Sequence, residues 1–249
     1  MLLGGIIIHV VNTGDTSFNA ISPGGWAGGL MLFGFLLNAG GPPLHAWLPD
    51  AYPEASVTGT LWLATFTTKV AVYTLVRGFP GAEVLIYVGL FMTLFGVSMT
   101  ILENDVRRLL SYHIISQVGY MVAAVGMGTD LALNGAVSHA YAHILYKGLL
   151  MMGMSSVVFM TGRKKLTELG GLYKTMPITF SLYMIGGFAI SAFPLFSGFV
   201  TKSMVVSAAI ESHRPAVSLL LTLASAGTFL HTGLKLPYYV FFGKDAGLI

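Results

Sequence analysis

The sequence contains no cysteine and very little charge. Without a thiol it holds no disulfide, no thiolate metal site, no cysteine-ligated iron–sulfur cluster and no cysteine nucleophile, so any redox chemistry nearby belongs to another subunit. Only 9% of its 249 residues are Asp, Glu, Lys or Arg, against roughly 25% in soluble domains. Its 13 Lys and Arg and 10 Asp and Glu cannot cover a globule of this size. Disordered chains, coiled coils and basic nucleic-acid binders are excluded on the same ground, and the net charge of +3 is too small a surplus to imply an anionic partner. What is abundant is apolar: 55% hydrophobic residues, 31 glycines and 13 methionines, with a mean hydropathy of +0.77.

A helix crossing the roughly 30 Å of bilayer hydrocarbon needs about 20 apolar residues. After an apolar stub at 1–11 and a polar stretch at 12–25, seven apolar runs follow: 26–41, 55–77, 84–102, 109–128, 132–160, 178–210 and 216–242. The stub lacks the basic flank and nearby small-residue cleavage site of a secretory signal, and is read as part of a helix of a longer protein or as the start of a shortened one. The run at 178–210 has Pro194 near its middle and Gly198 after it, the mark of a broken helix. The first run stops at Gly40, Gly41, Pro42 and Pro43. The expected fold is therefore all-α: a multispanning transmembrane bundle with about seven spans and discontinuous helices. It forms a single membrane domain over 1–249, with a partial helix and loop at 1–25 and the core at 26–244.

If the spans alternate in direction, one side of the membrane receives Arg107, Arg108, Arg163, Lys164, Lys165, Lys174 and Lys244. The other receives Arg77 and Arg214. The positive-inside rule makes the basic side cytoplasmic, which places the protein in an inner or plasma membrane.

Cations inside the spans need a reason, because a Lys at the centre of a membrane helix costs about 2.5–3.5 kcal/mol to insert. Lys69 and Lys147 lie deep in their runs, Lys202 follows the Pro194 break, and Lys235 is nearer an end, where a long side chain can snorkel to the interface. His139, His143 and Lys147 recur every four residues, a spacing that lines one helix face with a drift of about 40° per step. Lys69, Tyr73 and Arg77 share that spacing, as do His231 and Lys235. An ammonium that loses its water holds its proton less tightly, and histidine titrates near neutral pH, so such a stripe is a candidate proton relay. The rival reading of a His-x-x-x-His metal box has only two ligands, His139 and His143, with His9, His45, His113, His213 and His231 as singletons and no carboxylate close by in sequence.

The prolines supply a second ingredient. Pro42 and Pro43 cannot donate to the carbonyls of Asn38 and Ala39, Pro194 cannot serve Ile190, and Pro237 cannot serve Gly233. Carbonyls freed within a membrane helix are tolerated where they meet protein or water, and transporters use them at ion sites. GFLLNA before Pro42 also parallels GFAISA before Pro194, a short sign of internal repetition.

The stretches PPLHAWLPDAYPEA, FTTKVAVY, ENDVRRLLSYHIISQVGYM and HAYAHILYKGLL occur in this order. Together they resemble the antiporter-like, proton-translocating membrane subunits of respiratory complex I and of Mrp-type cation/proton antiporters, over about 26–244. The ending FLHTGLKLPYYVFFGKD is most similar to the D subunits of the Mrp type. The resemblance implies two inverted repeats of five helices, each with one broken helix, and a chain of buried Lys, His and Glu at mid-membrane. It implies that Lys69 is the lysine of the unbroken helix in the first repeat and Lys202 the charged residue on the broken helix of the second, with His139, His143 and Lys147 linking them. Two departures stand out: Asn38 occupies the place of a broken-helix lysine, and the family's paired glutamate would lie upstream of Met1.

The expected function is that of a proton-translocating subunit of a multisubunit sodium/proton antiporter. The alternative is a proton-pumping subunit of an NADH-quinone oxidoreductase or a membrane-bound hydrogenase, and a further rival, motivated by Asn38 and the missing glutamate, is a scaffold that has lost transport. Lys69, His139, His143, Lys147 and Lys202 form the expected relay, with His231 and Lys235 as secondary members and Asn38, Pro42, Pro43 and Pro194 as helix breakers. No catalytic residue, metal ligand set or cofactor is expected within the chain. The expected partners are other membrane subunits, the bilayer, protons and, as a candidate counter-ion, sodium, with no nucleic acid.

Overall fold

The computed structural model describes residues 1–248. Among them there is no strand beyond an isolated bridge between Asp105 and Lys165. The helices follow in the order α1 (Leu2–Thr13), α2 (Gly25–Asn38), α3 (Trp47–Glu54), α4 (Val57–Trp62), α5 (Thr68–Gly78), α6 (Val84–Leu102), α7 (Val106–Met127), α8 (Asp130–Thr161), α9 (Pro177–Ile190), α10 (Ser197–Glu211) and α11 (Pro215–Thr228). Three stretches are π-helical: Leu63–Thr67 joins α4 to α5, while Phe229–Lys235 and Tyr238–Phe242 extend α11.

Four continuous helices are long and apolar enough to cross a bilayer: Val84–Leu102, Val106–Met127, Asp130–Thr161 and Pro215–Phe242. The other crossings are composite. α2 and α3 are halves separated by the break at Gly40–Pro43, α9 and α10 are halves separated by the break around Pro194, and α4 and α5 are joined by a π turn. Each break has a local cause: proline removes a donor on the C-terminal side, and the chain turns through positive φ at Gly40, Ala192 and Leu195. Elsewhere the helix ends use ordinary signals. Ser56, Asp105 and Thr129 cap α4, α7 and α8 by accepting from backbone N–H groups, and left-handed Gly128 and Gly162 close α7 and α8.

α7 runs through the middle of the bundle, buried along nearly its whole length, Ser111, His113, Ser116 and Gln117 included. Glycine brings α6 against it: a Cβ on Gly119 would lie 2.6 Å from the Gly89 carbonyl oxygen and closer still to Thr93 Oγ1. Backbone-to-backbone approach of this kind is how membrane helices associate without a hydrophobic driving force.

The loops sort to two ends. At one, Lys164 faces Glu54 and Asp105, Arg108 faces Asp50 and Glu103, and Gly170 packs on Lys244. At the other, Gly81 packs on Gly128 and Arg214 pairs with Glu83 at 2.9 Å. The basic loops therefore share one end, as an alternating path requires. Their ion pairs are solvent-facing and individually worth about 0–1 kcal/mol.

Candidate functional site

The polar interior is built mainly on α7, α8, α10 and the π-helical parts. Lys69 is 5% exposed, Lys202 3% and Lys147 wholly buried, as are His113, His139 and His143, with His231 at 1%. No salt bridge to a carboxylate reaches Lys69, Lys147 or Lys202 among the described residues. Their polar contacts are carbonyls, hydroxyls and imidazoles.

Lys69 lies two residues after the π turn, and its Nζ donates to the Ala64 carbonyl at 2.6 Å. The same turn packs on α8: the methyl of Thr65 lies against Gly148, beside Lys147. Lys147 points to α7, its Nζ 3.4 Å from Nδ1 of His113. His113 meets His231 edge to face, with ring centroids 4.9 Å apart, and Nδ1 of His231 is 2.7 Å from Thr232 Oγ1. Gln117, one turn along α7, donates to Thr228 Oγ1 at 3.3 Å.

A second branch leads from α8 to α10. Nδ1 of His139 is 2.8 Å from Thr201 Oγ1, whose neighbour in sequence is Lys202. Nζ of Lys202 donates to the Ile190 carbonyl at 2.8 Å, lies 3.5 Å from Ser225 Oγ and sits 5.3 Å from the Tyr120 ring centroid. Tyr120 itself donates to the Leu221 carbonyl. A groove of about 390 Å³ lined by Ala192, Phe199, Lys202, Ser203, Thr222 and Ser225 opens beside this lysine. Between the two branches stand His143, 6.3 Å from His139, and Tyr146, 5.3 Å from His143, by ring centroids. Both nitrogens of His143, the hydroxyl of Tyr146, and Nε2 of His113, His139 and His231 have no protein partner, although each is buried. Buried polar atoms left unmet cost about 1–3 kcal/mol each, and ordered water is the usual partner.

Half of this chain and more matches one family model. Residues 1–228 fit the transmembrane family described as NADH:quinone oxidoreductase/Mrp antiporter. The chain belongs to this family. Among its relatives, the D subunit of the Na(+)/H(+) antiporter of Alkalihalophilus pseudofirmus is 33% identical over 228 residues, 87% of this chain and 45% of that protein. A chain of the Mrp complex from Dietzia sp. superposes with a TM-score of 0.91 at 26% identity, over 98% of this chain and 48% of its own length. A chain of the membrane-bound sulfane sulfur reductase, an archaeal respiratory membrane complex, gives 0.89 at 28%, over 97% and 44%. The chain spans less than half the length of each of these proteins.

Within the family frame the expected relay residues fall into three groups. Lys147, His139, His143, Lys202 and His231 line the interior together, and Lys69 adjoins it across Thr65 and Gly148. Lys235 stands apart: its Nζ donates to the carbonyls of Ile101 and Glu103, both at 2.7 Å, at the C-terminal end of α6. Asn38 ends α2 and is exposed, with Pro42 and Pro43 in the turn beyond it. His139 and His143 are joined by no third His, Asp or Glu that would complete a metal ligand set among the described residues.

His113 is the residue that sequence spacing missed. It reads as a singleton along the chain, yet it is the group between Lys147 and His231. The available signal was His113 followed four residues later by Gln117, a polar pair on one face of a helix that proves to be central.

Proposed function

We propose that this chain carries protons through the membrane as part of a multisubunit cation/proton antiporter of the Mrp type, in the role of its D subunit. The observation that carries the reading is the Lys147–His113–His231 contact, with His143 and His139 standing between it and the Thr201–Lys202 pair: titratable groups from α7, α8, α10 and the end of α11, gathered without a carboxylate. Cations confined together in a low-dielectric layer repel, so a proton gained at one favours release at another. Imidazoles accept and donate at their two nitrogens, which suits them to pass that proton along. Lys69 feeds the first branch and Lys202, beside its groove, ends the second.

This assignment within the Mrp type is supported by the antiporter relative and by the Mrp complex superposition. The second reading, a proton-pumping subunit of a respiratory complex, is supported by the superposition on the sulfane sulfur reductase complex, nearly as close at a TM-score of 0.89. Both readings imply partner subunits in the same membrane, with the basic end facing the cytoplasm by the positive-inside rule.

The test is proton flux through the assembled complex in liposomes. Lys69→Ala and Lys147→Ala should each reduce flux severalfold while subunit composition is retained. Undiminished flux in both would remove the relay. Co-purifying redox proteins would favour the respiratory reading, and small membrane proteins alone the antiporter.

A further inference from the structure

Two buried tyrosines donate into the widened turns beside the proposed relay. Tyr52 of α3 is fully buried and gives its phenolic O–H to the Leu63 carbonyl at 3.0 Å, the first residue of the π stretch Leu63–Thr67. Tyr183 of α9 is fully buried and gives its O–H to the Thr232 carbonyl at 3.1 Å, within the π stretch Phe229–Lys235. Each tyrosine comes from one half of a broken helix. Each receiving turn carries or adjoins a relay group: Lys69 lies two residues after the first, and His231 lies inside the second.

A buried tyrosine does not find such a partner by default, since Tyr146 is buried in the same interior with its hydroxyl unmet. The reason lies in the turn. A π turn accommodates an extra residue through i→i+5 bonding, and where that spacing gives way to another a carbonyl can be left without a backbone donor. Beyond the second turn, Leu236 N–H serves His231, and the residue five after Thr232 is Pro237, which has no N–H to give. If the extra residue were expelled, one side of the helix would rotate by about 100° and shift by about 1.5 Å against the other. Nζ of Lys69 would leave Ala64, which lies in the π stretch, and His231 would leave the edge of His113.

We propose that Tyr52 and Tyr183 are positioning residues that latch the two wide turns, and thereby set the directions in which Lys69 and His231 present their nitrogens. The latch is a claim about backbone geometry. Its consequence for transport rests on the relay reading above.

Tyr52→Phe and Tyr183→Phe remove one oxygen each and keep the ring. Exposed Tyr141→Phe on α8 is the control. In the assembled complex, hydrogen–deuterium exchange of residues 63–69 should rise severalfold in Tyr52→Phe with 229–235 unchanged, and the converse should hold in Tyr183→Phe. Proton flux should fall about tenfold in both, and its pH midpoint should move, which loss of packing alone would not produce. Wild-type exchange in both stretches would overturn the latch. Altered exchange with wild-type flux and pH midpoint would overturn the positioning role. Lys69→Ala and Lys147→Ala judge the relay separately: if both keep full flux, the relay fails, while the exchange data still decide the latch. Should a Phe variant not accumulate, 3-fluorotyrosine at 52 or 183, a stronger donor, should slow exchange in the matching stretch; unchanged exchange there would refute the latch.

Discussion

Nζ of Lys202 lies 2.8 Å from the carbonyl oxygen of Ile190, the carbonyl that Pro194, four residues on, cannot serve. The break and the cation on the following half-helix are thus parts of one device. Proline frees an acceptor within the membrane, and the lysine that would otherwise be costly to bury takes it up. The same side chain reaches Ser225 and adjoins the Thr201–His139 pair.

Lys202→Ala should therefore do two things at once. Proton flux should drop severalfold, and the assembled complex should melt earlier, since a hydrogen bond to a charged group is worth about 1.5–3 kcal/mol. Pro194→Ala in the same chain gives residue 194 an N–H for Ile190 and should recover part of the melting temperature without recovering flux. Recovery of flux in the double variant would show that Lys202 serves the carbonyl alone.

His113→Leu keeps the volume of the central layer and removes the imidazole between Lys147 and His231. Flux should fall as far as in Lys147→Ala, with normal assembly. A variant that transports at the wild-type rate would mean that protons bypass His113.

Lys235 donates to the carbonyls at the end of α6 and makes no hydrogen bond to a group of the two branches, so Lys235→Ala should act on stability rather than on flux. Two hydrogen bonds to Ile101 and Glu103 are lost, at about 1 kcal/mol each. Thermal unfolding in detergent should show the loss, and flux per assembled complex should be unchanged.

Gly119→Ala places a Cβ against Thr93 and the backbone of Gly89, where neither helix can retreat without opening the α6–α7 contact. Overpacking of this kind costs about 1–3 kcal/mol, occasionally more. Accumulation of folded protein should fall, whereas Gly4→Ala, whose Cβ meets nothing within 4 Å, should be silent.

The family was legible only through the resemblance of its ordered motifs, while composition and spacing were enough for the fold class, the breaks at Pro42–Pro43 and Pro194, and the depth of Lys69, Lys147 and Lys202 in their runs. Each depends on a single helix: hydropathy decides whether a segment can enter lipid, proline removes its own N–H, and a four-residue step keeps side chains on one face. The parity of the crossings was legible too, because the basic residues fall in alternate loops.

Only packing decided which polar groups meet. His113 looks isolated along the chain, and Lys235 looks like a continuation of the His231 stripe. Yet His113 faces Lys147 on a neighbouring helix, whereas Lys235 is carried round by π-helical turns to the end of α6. A π turn inserts an extra residue into the helix, so the side chains beyond it are displaced from where a regular helix would carry them. Hydrophobic pattern cannot report that change, because the donors that meet these turns lie on other helices, Tyr52 on α3 and Tyr183 on α9.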